Sequence, residues 1–172
     1  MDSSQFGKFN SGVAKKLNSY FNDRAPAMVV RETLRFINAN FQKQGWQGAT
    51  FQPWKKNIKG TRILFKSGDL MRGFNYELKG NGEILFYNNI KYARVHNEGF
   101  NGQVTVPAHT RSRYLKVKSS LTKIGKSKVR EFTRTMKIDQ RQFAPTQTSP
   151  SPILEADIVK WLTKDIAVIF NS

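Results

Sequence analysis

The sequence predicts an α+β fold: an antiparallel sheet of about four strands packed by two main helices, with extended arms or a long hairpin. Three observations carry this. Val30, Leu34, Ile37 and Phe41 recur at helical spacing, and Leu154, Ile158, Leu162 and Ile169 repeat the pattern near the other end. Between them, Phe74–Leu78 alternates at period two and is followed by the apolar run Ile84–Tyr87.

Residues 1–22 hold Phe6, Phe9, Val13, Leu17 and Tyr20 at spacings of three and four, weakened by Gly7 and Gly12. An arm or short helix of poor intrinsic order is expected there. Asp23 is placed to cap the next helix, with Pro26 in its first turn, where a missing N–H costs nothing. Arg31, Glu32, Arg35 and Asn38 lie off its apolar stripe, and it is expected to end near Gly45. Residues 44–60, with Trp46, Phe51, Pro53 and Trp54, read as an ordered loop whose tryptophans join a satellite of the core. Ser67 is placed to cap a short helical turn through Leu70 and Met71.

The segments 74–78 and 84–87, joined by Lys79-Gly80-Asn81-Gly82, predict an antiparallel hairpin. Lys91–Glu98 predicts a short helix that turns Tyr92, Ala93 and Val95 to the core and stops at Gly99. Gln103–Val106 and Tyr114–Val117 read as strands or extended arms. Segment 107–141 is basic and partly mobile, and its end, Met136–Phe143, returns to the sheet. After the polar break 146–152, Ser151 is the expected cap of a last helix with Pro152 at its first position. Glu155 and Asp157 in the first turn suit its dipole. The expected organisation is an arm over 1–22 and a single domain over 23–172.

The 172 residues suffice to bury a core, and 13 phenylalanines exclude a disordered composition. With no cysteine, disulfides, thiolate nucleophiles and Cys-based metal sites are excluded. No apolar run is long enough for a membrane span, and Met1–Phe6 lacks the pattern of a signal peptide. The net charge of +17 has two readings: basic faces that meet acidic partner subunits, or nucleic-acid binding. Between Arg111 and Arg141 stand eleven Lys and Arg, opposed by Glu131 and Asp139 alone.

Catalytic patterns are missing from the sequence. His96 and His109 are its two histidines, neither in a metal-ligand spacing, and the carboxylates are scattered. No nucleophile elbow or P-loop is present, and Gly80-Asn81-Gly82 reads as a hairpin turn. No catalytic residue, metal or cofactor is expected, and the chain is not expected to be an enzyme.

Four segments, in order, carry a likeness: Phe41–Trp46 with Trp54; Ile63-Leu64-Phe65-Lys66-Ser67-Gly68-Asp69-Leu70; Tyr92–Gly99; and Ile138-Asp139-Gln140-Arg141-Gln142-Phe143. From about residue 28 to the C-terminus the sequence resembles the phage virion morphogenesis family, the tail completion proteins of myophages such as P2 and Mu. The last segment departs from the family's Ile-Pro-x-Arg-Pro-Phe, since Asp139 and Gln142 replace both prolines, and Ala144-Pro145 stand where a glycine is common.

The resemblance implies a structural role. Such a protein completes the tail end or the neck so that head and tail join, as a ring, six-fold, around the DNA channel. It implies as partners further copies of the chain and other neck, tail or portal-adaptor proteins, with incidental contact to genomic DNA and no membrane. It implies assembly in the host cytoplasm and a place in the virion at the head–tail junction. Gly45, Trp46, Trp54, Leu64, Gly68, Leu70, Tyr92, Ala93, His96, Asn97 and Gly99 are then structural motif residues. Leu70, Tyr92, Ala93 and Phe143 are expected in the core, and His96 and Asn97 on backbone groups where their helix stops. Arg141, Phe143, Arg111, Arg113, Lys116 and Lys118 are the candidate contacts to neighbouring subunits, Arg141 because its planar fork suits a carboxylate. The competing function is a basic nucleic-acid-binding protein that uses 111–141.

Overall fold

Val13, Leu17 and Tyr20 follow Gly12 at helical spacing, and the N-terminal segment is helical in the computed structural model, α1 spanning Ser3–Ser19. Residues 3–57, 61–65, 67–80, 82–117 and 120–171 are described, without the side chains of residues 3–10 and 117. The expected calls on Phe6, Phe9, Lys66, Asn81 and Lys118 therefore lie outside what is described. Of the arm or short helix expected over 1–22, the helix is found, and Tyr20 just beyond it gains partners: it is 3% exposed and its hydroxyl donates to Asp165 at 3.1 Å.

A π-helical turn, Tyr20–Arg24, leads straight into α2, Ala25–Lys43. The Ala25 N–H reaches back to the Tyr20 carbonyl, and Pro26, which has no N–H to offer, follows at once. Asp23 therefore sits inside a continuous helix and is no cap; its carboxylate accepts from Ser19 at 3.3 Å. Helix α2 ends near Gly45 as expected, with Gln44 as its C-cap. Gln44 holds the left-handed conformation, φ 56°, and its side chain bonds the Phe41 carbonyl at 2.7 Å and both backbone groups of Ile63. Those bonds offset the strain that a glycine would have avoided.

The α+β class holds, with eight strands among the described residues in place of about four, and no continuous sheet among them. The strands form four separate antiparallel pairs. Strand β1, Gly45–Gln47, pairs β2, Phe51–Pro53; β3, Phe74–Leu78, pairs β4, Ile84–Asn88. Between them lies α3, Asp69–Arg72, whose N-cap position is held by Gly68 at φ 75° and not by Ser67. Helix α4, Ala93–Glu98, is followed by Gly99 at φ 78°, the helix stop read from the sequence. Helix α5, Pro152–Phe170, starts as expected: Ser151 Oγ accepts the Leu154 N–H at 3.2 Å.

The chain divides into two compact units, 1–98 with 140–172, and 99–139, in place of the single domain expected over 23–172. The first unit holds the core. Ile37, Phe41, Trp54, Ile63, Leu70, Ala93 and Phe143 form one buried cluster, and Phe36, Trp46 and Leu154 a second. Trp54 is thus in the main core, while Trp46 joins the smaller cluster. The second unit is a two-stranded ribbon. Its β5, Phe100–Val106, pairs β8, Phe132–Ile138, and β6, His109–Val117, pairs β7, Ser120–Val129. Within the basic segment 107–141, His109–Val117, Ser120–Val129 and Phe132–Ile138 are strand, with β-branched residues between the charges. Among the described residues no helix is long and apolar enough to cross a membrane.

Candidate functional site

Residues 140–144 run as an extended strap across the first unit, and three of the four motif segments converge on it. From α2, Asn40, fully buried, donates to the Phe143 carbonyl at 3.1 Å. Trp54 donates its indole N–H to the Gln142 carbonyl at 2.8 Å. At the end of α4, Asn97 Oδ1 accepts the N–H groups of Phe143 and Ala144, both at 2.9 Å, and its amide donates to the Ala144 carbonyl at 3.2 Å. The Arg141 N–H donates to the His96 carbonyl at 2.8 Å. A segment outside any strand thus has these backbone groups satisfied by side chains and, at Arg141, by a backbone carbonyl, as burial requires.

Phe143, expected in the core and also offered as a subunit contact, is 1% exposed; it stacks on Phe41 at 5.1 Å and meets Phe74 edge-on. It is a core residue, which removes it from the candidate contacts. Gln142, standing where the family has proline, folds back onto the chain: its amide donates to the Ser149 carbonyl at 3.0 Å and its oxygen accepts from the Ser149 hydroxyl. Those bonds pin the turn that a proline would have stiffened.

Beside the strap a cavity of about 650 Å³ opens, lined by Arg62, Leu64, Phe65, Asp69, Tyr92 and Arg141 among others. Leu64 stands there at φ 57°, an unfavourable conformation for a leucine, and packs against the core. Tyr92, expected in the core, is 48% exposed, because it precedes α4 and turns its ring to the edge of His96. Leu70 and Ala93 are buried as expected. Arg62 lies over the Phe65 ring at 4.1 Å and donates to Gln42. A hydrogen bond from Ser67, with Arg72 behind it, holds the Asp69 carboxyl below its ordinary range.

The Arg141 Nε and the His96 Nδ1 are both buried without a hydrogen-bond partner among the described residues. His96 therefore does not satisfy a backbone group with its ring, contrary to expectation; its carbonyl serves the strap instead. Burial, with the Arg141 charge second, holds His96 below the ordinary imidazole range. The cavity thus presents the Arg141 guanidinium beside an apolar wall, chemistry that suits a carboxylate. Among the described residues no group of three or more His, Asp or Glu is placed to hold a metal.

Gly45 and Gly68 act through space as well as conformation. A Cβ on Gly45 would lie 2.4 Å from the Phe51 ring and 2.7 Å from the Gln52 carbonyl; one on Gly68 would lie 2.9 Å from Arg72. In the ribbon, Arg111, Arg113 and Lys116 lie exposed on β6. Sequence reading missed Asn40, Gln44 and Gln142. Asn40 carried a signal, a polar side chain in step with Ile37 and Phe41 on a buried stripe. No protein family, curated protein or solved structure matches this chain.

Proposed function

We propose that this chain is a structural subunit of a phage particle, not an enzyme, that completes the tail end or neck so that head and tail join. In this reading it assembles as a ring, hexameric, around the DNA channel, with neck, tail or portal-adaptor proteins as its other partners, at the head–tail junction of the virion. The observation that supports it best is the ribbon. No described residue of 99–139 is buried, and its strands pair only with one another. A two-stranded ribbon is marginal by itself in water. The β5–β8 pair nevertheless gathers Phe100, Val104, Val106, Phe132, Met136 and Ile138 on one face, with Arg134 as its one charge, by the alternation of its register. An apolar face on so thin an element suits packing against neighbouring subunits.

Helix α5 adds a second such surface. Val159, Val168 and Phe170 are each more than half exposed, though they belong to the helix that packs on α2. The convergence of the motif segments on the strap supports the resemblance from which the reading came.

An early stop codon in the gene, with negative-stain microscopy of the lysate, tests it. Filled heads apart from finished tails are expected. Normally joined particles would overturn the reading, as would loss of DNA replication with no particles at all.

A further inference from the structure

The β6–β7 pair sorts its charges by face. Side chains of paired residues share a face, and the faces alternate along each strand. The pairs Thr110–Lys128, Ser112–Lys126, Tyr114–Lys123 and Lys116–Leu121 fall on one face. The pairs His109–Val129, Arg111–Ser127, Arg113–Gly125 and Leu115–Thr122 fall on the other. Four lysines and one tyrosine thus stand together, and the two arginines stand opposite.

The sorting depends on a bulge. Lys123 and Lys126 are three apart, so an unbroken strand would point them to opposite faces. The register shifts between Arg113 and Tyr114, where Ile124 is the extra residue and Gly125 takes φ 149°. That shift returns Lys123 to the face of Lys126. A Cβ on Gly125 would touch nothing within 4 Å, so the glycine is required by conformation and not by space.

Nothing nearby neutralises these lysines. From Pro107 to Arg130 the sequence has eight Lys and Arg and no Asp or Glu. Lys116, Lys123, Lys126 and Lys128 are exposed, and none is ion-paired among the described residues. Like charges on neighbouring positions of one face repel, so the ribbon as built is relieved by a line of negative charge. Same-face rows repeat every two residues, about 6.8 Å. That is about twice the 3.4 Å rise per nucleotide along a DNA strand. Tyr114, 57% exposed on the same face, adds a ring able to stack on a base.

We propose that the lysine face of the β6–β7 ribbon binds the phosphate backbone of a nucleic acid. The single-file arrangement favours a linear polyanion over an anionic lipid surface. The site stands on the register and the bulge, and does not depend on the neck reading.

The test compares two charge removals of equal size on one ribbon. Labelled double-stranded DNA of arbitrary sequence is titrated with the full chain across a range of salt, for the wild type, K126Q/K128Q and R111Q/R113Q. Each phosphate contact steepens the dependence of log K on log salt by about 0.9. K126Q/K128Q is expected to reduce the slope by about 2, K123Q by about 1, and K126R/K128R to restore it. R111Q/R113Q is expected to leave the slope unchanged. Circular dichroism shows whether each variant keeps its fold, and the exposure of all four lysines favours that it does. Equal losses from both faces would mean attraction by net charge alone and would overturn the site. So would the absence of salt-dependent binding, or tighter binding to phosphatidylserine vesicles than to DNA with the same dependence on Lys126 and Lys128.

Discussion

Asn97 holds Phe143 in place from 46 positions away: one carboxamide oxygen accepts the N–H of Phe143 and that of Ala144, each at 2.9 Å. The same side chain returns a bond to the Ala144 carbonyl at 3.2 Å. Two consecutive backbone donors thus share one acceptor, and the ring between them is delivered onto Phe41.

Replacing Asn97 by Ala leaves both donors without a partner. At about 1–3 kcal/mol for each buried unsatisfied group, N97A is expected to lose about 2–6 kcal/mol of stability. N97D keeps the acceptor and loses the amide donor, so a smaller loss is expected. Denaturation followed by tryptophan fluorescence measures both, since Trp54 donates to the same strap at Gln142. Equal losses from N97A and N97D would show that the shared acceptor is not what secures Phe143.

Gly45 makes a prediction about space. Its φ is not in the left-handed region, yet a Cβ would lie 2.7 Å from the Gln52 carbonyl of the paired strand. The Phe51 ring is half exposed and has room to swing aside, whereas the carbonyl is held by the β1–β2 ladder. G45A is expected to destabilise by about 1–3 kcal/mol, the usual range for overpacking, and to weaken protection of the β1–β2 amides in hydrogen exchange. A loss in stability with those amides unchanged would place the cost elsewhere.

What the sequence made legible was set by local chemistry. The Ser151-Pro152 helix start, the Gly99 stop and the 74–88 hairpin were readable because each depends on a few adjacent residues. Ile37 and Phe41 were readable because burial follows helical period. The N-terminal helix was readable only as one of two alternatives, arm or short helix, since the bond that secures Tyr20 comes from Asp165, 145 positions away. The end of α2 near Gly45 was readable, but the cap at Gln44 was not, because its bonds to Ile63 follow no local pattern. In the candidate site, Arg141 and Asn97 were legible through the motifs. Asn40 and Gln142 were not, because their partners lie on a strap whose path is fixed only by tertiary structure. The face taken by Lys123 depends on one bulge, and a period-two reading of β7 points it the wrong way.

His96 makes a prediction about pH. Burial, and then the Arg141 charge, lower its folded-state pKa. The unfolded chain, with an imidazole near about 6.5, therefore takes up a proton before the folded one does. The contribution of His96 to stability is present above that unfolded value and is lost as pH falls through the lowered folded value. Denaturation midpoints are expected to decline with acidification in that window. H96Q is expected to flatten the decline. R141A removes the second cause, so it is expected to raise the His96 pKa in an NMR titration and narrow the window. A pKa that stays put in R141A would mean that burial alone sets it.

Ser151 separates a helix cap from a tertiary bond. Its hydroxyl oxygen accepts the Leu154 N–H at 3.2 Å, and its proton goes to the Gln47 carbonyl at 2.7 Å. The residue is 1% exposed, so both roles are played away from water. At an exposed helix start, Asp replaces Ser with little loss, because only an acceptor is needed. Here a carboxylate still accepts from Leu154, but it has no proton for Gln47 and faces that carbonyl at close range without solvent. S151A loses a cap, about 1 kcal/mol, and leaves a buried carbonyl unpaired, so about 2–4 kcal/mol is expected in all. S151D is expected to be at least as destabilised as S151A, and S151T, which keeps both functions, to be the mildest of the three. Thermal denaturation of the three variants checks the order. If S151D proved the most stable of them, the Gln47 bond would contribute nothing, and α5 would be joined to β1 by the packing of Leu154 on Trp46 alone.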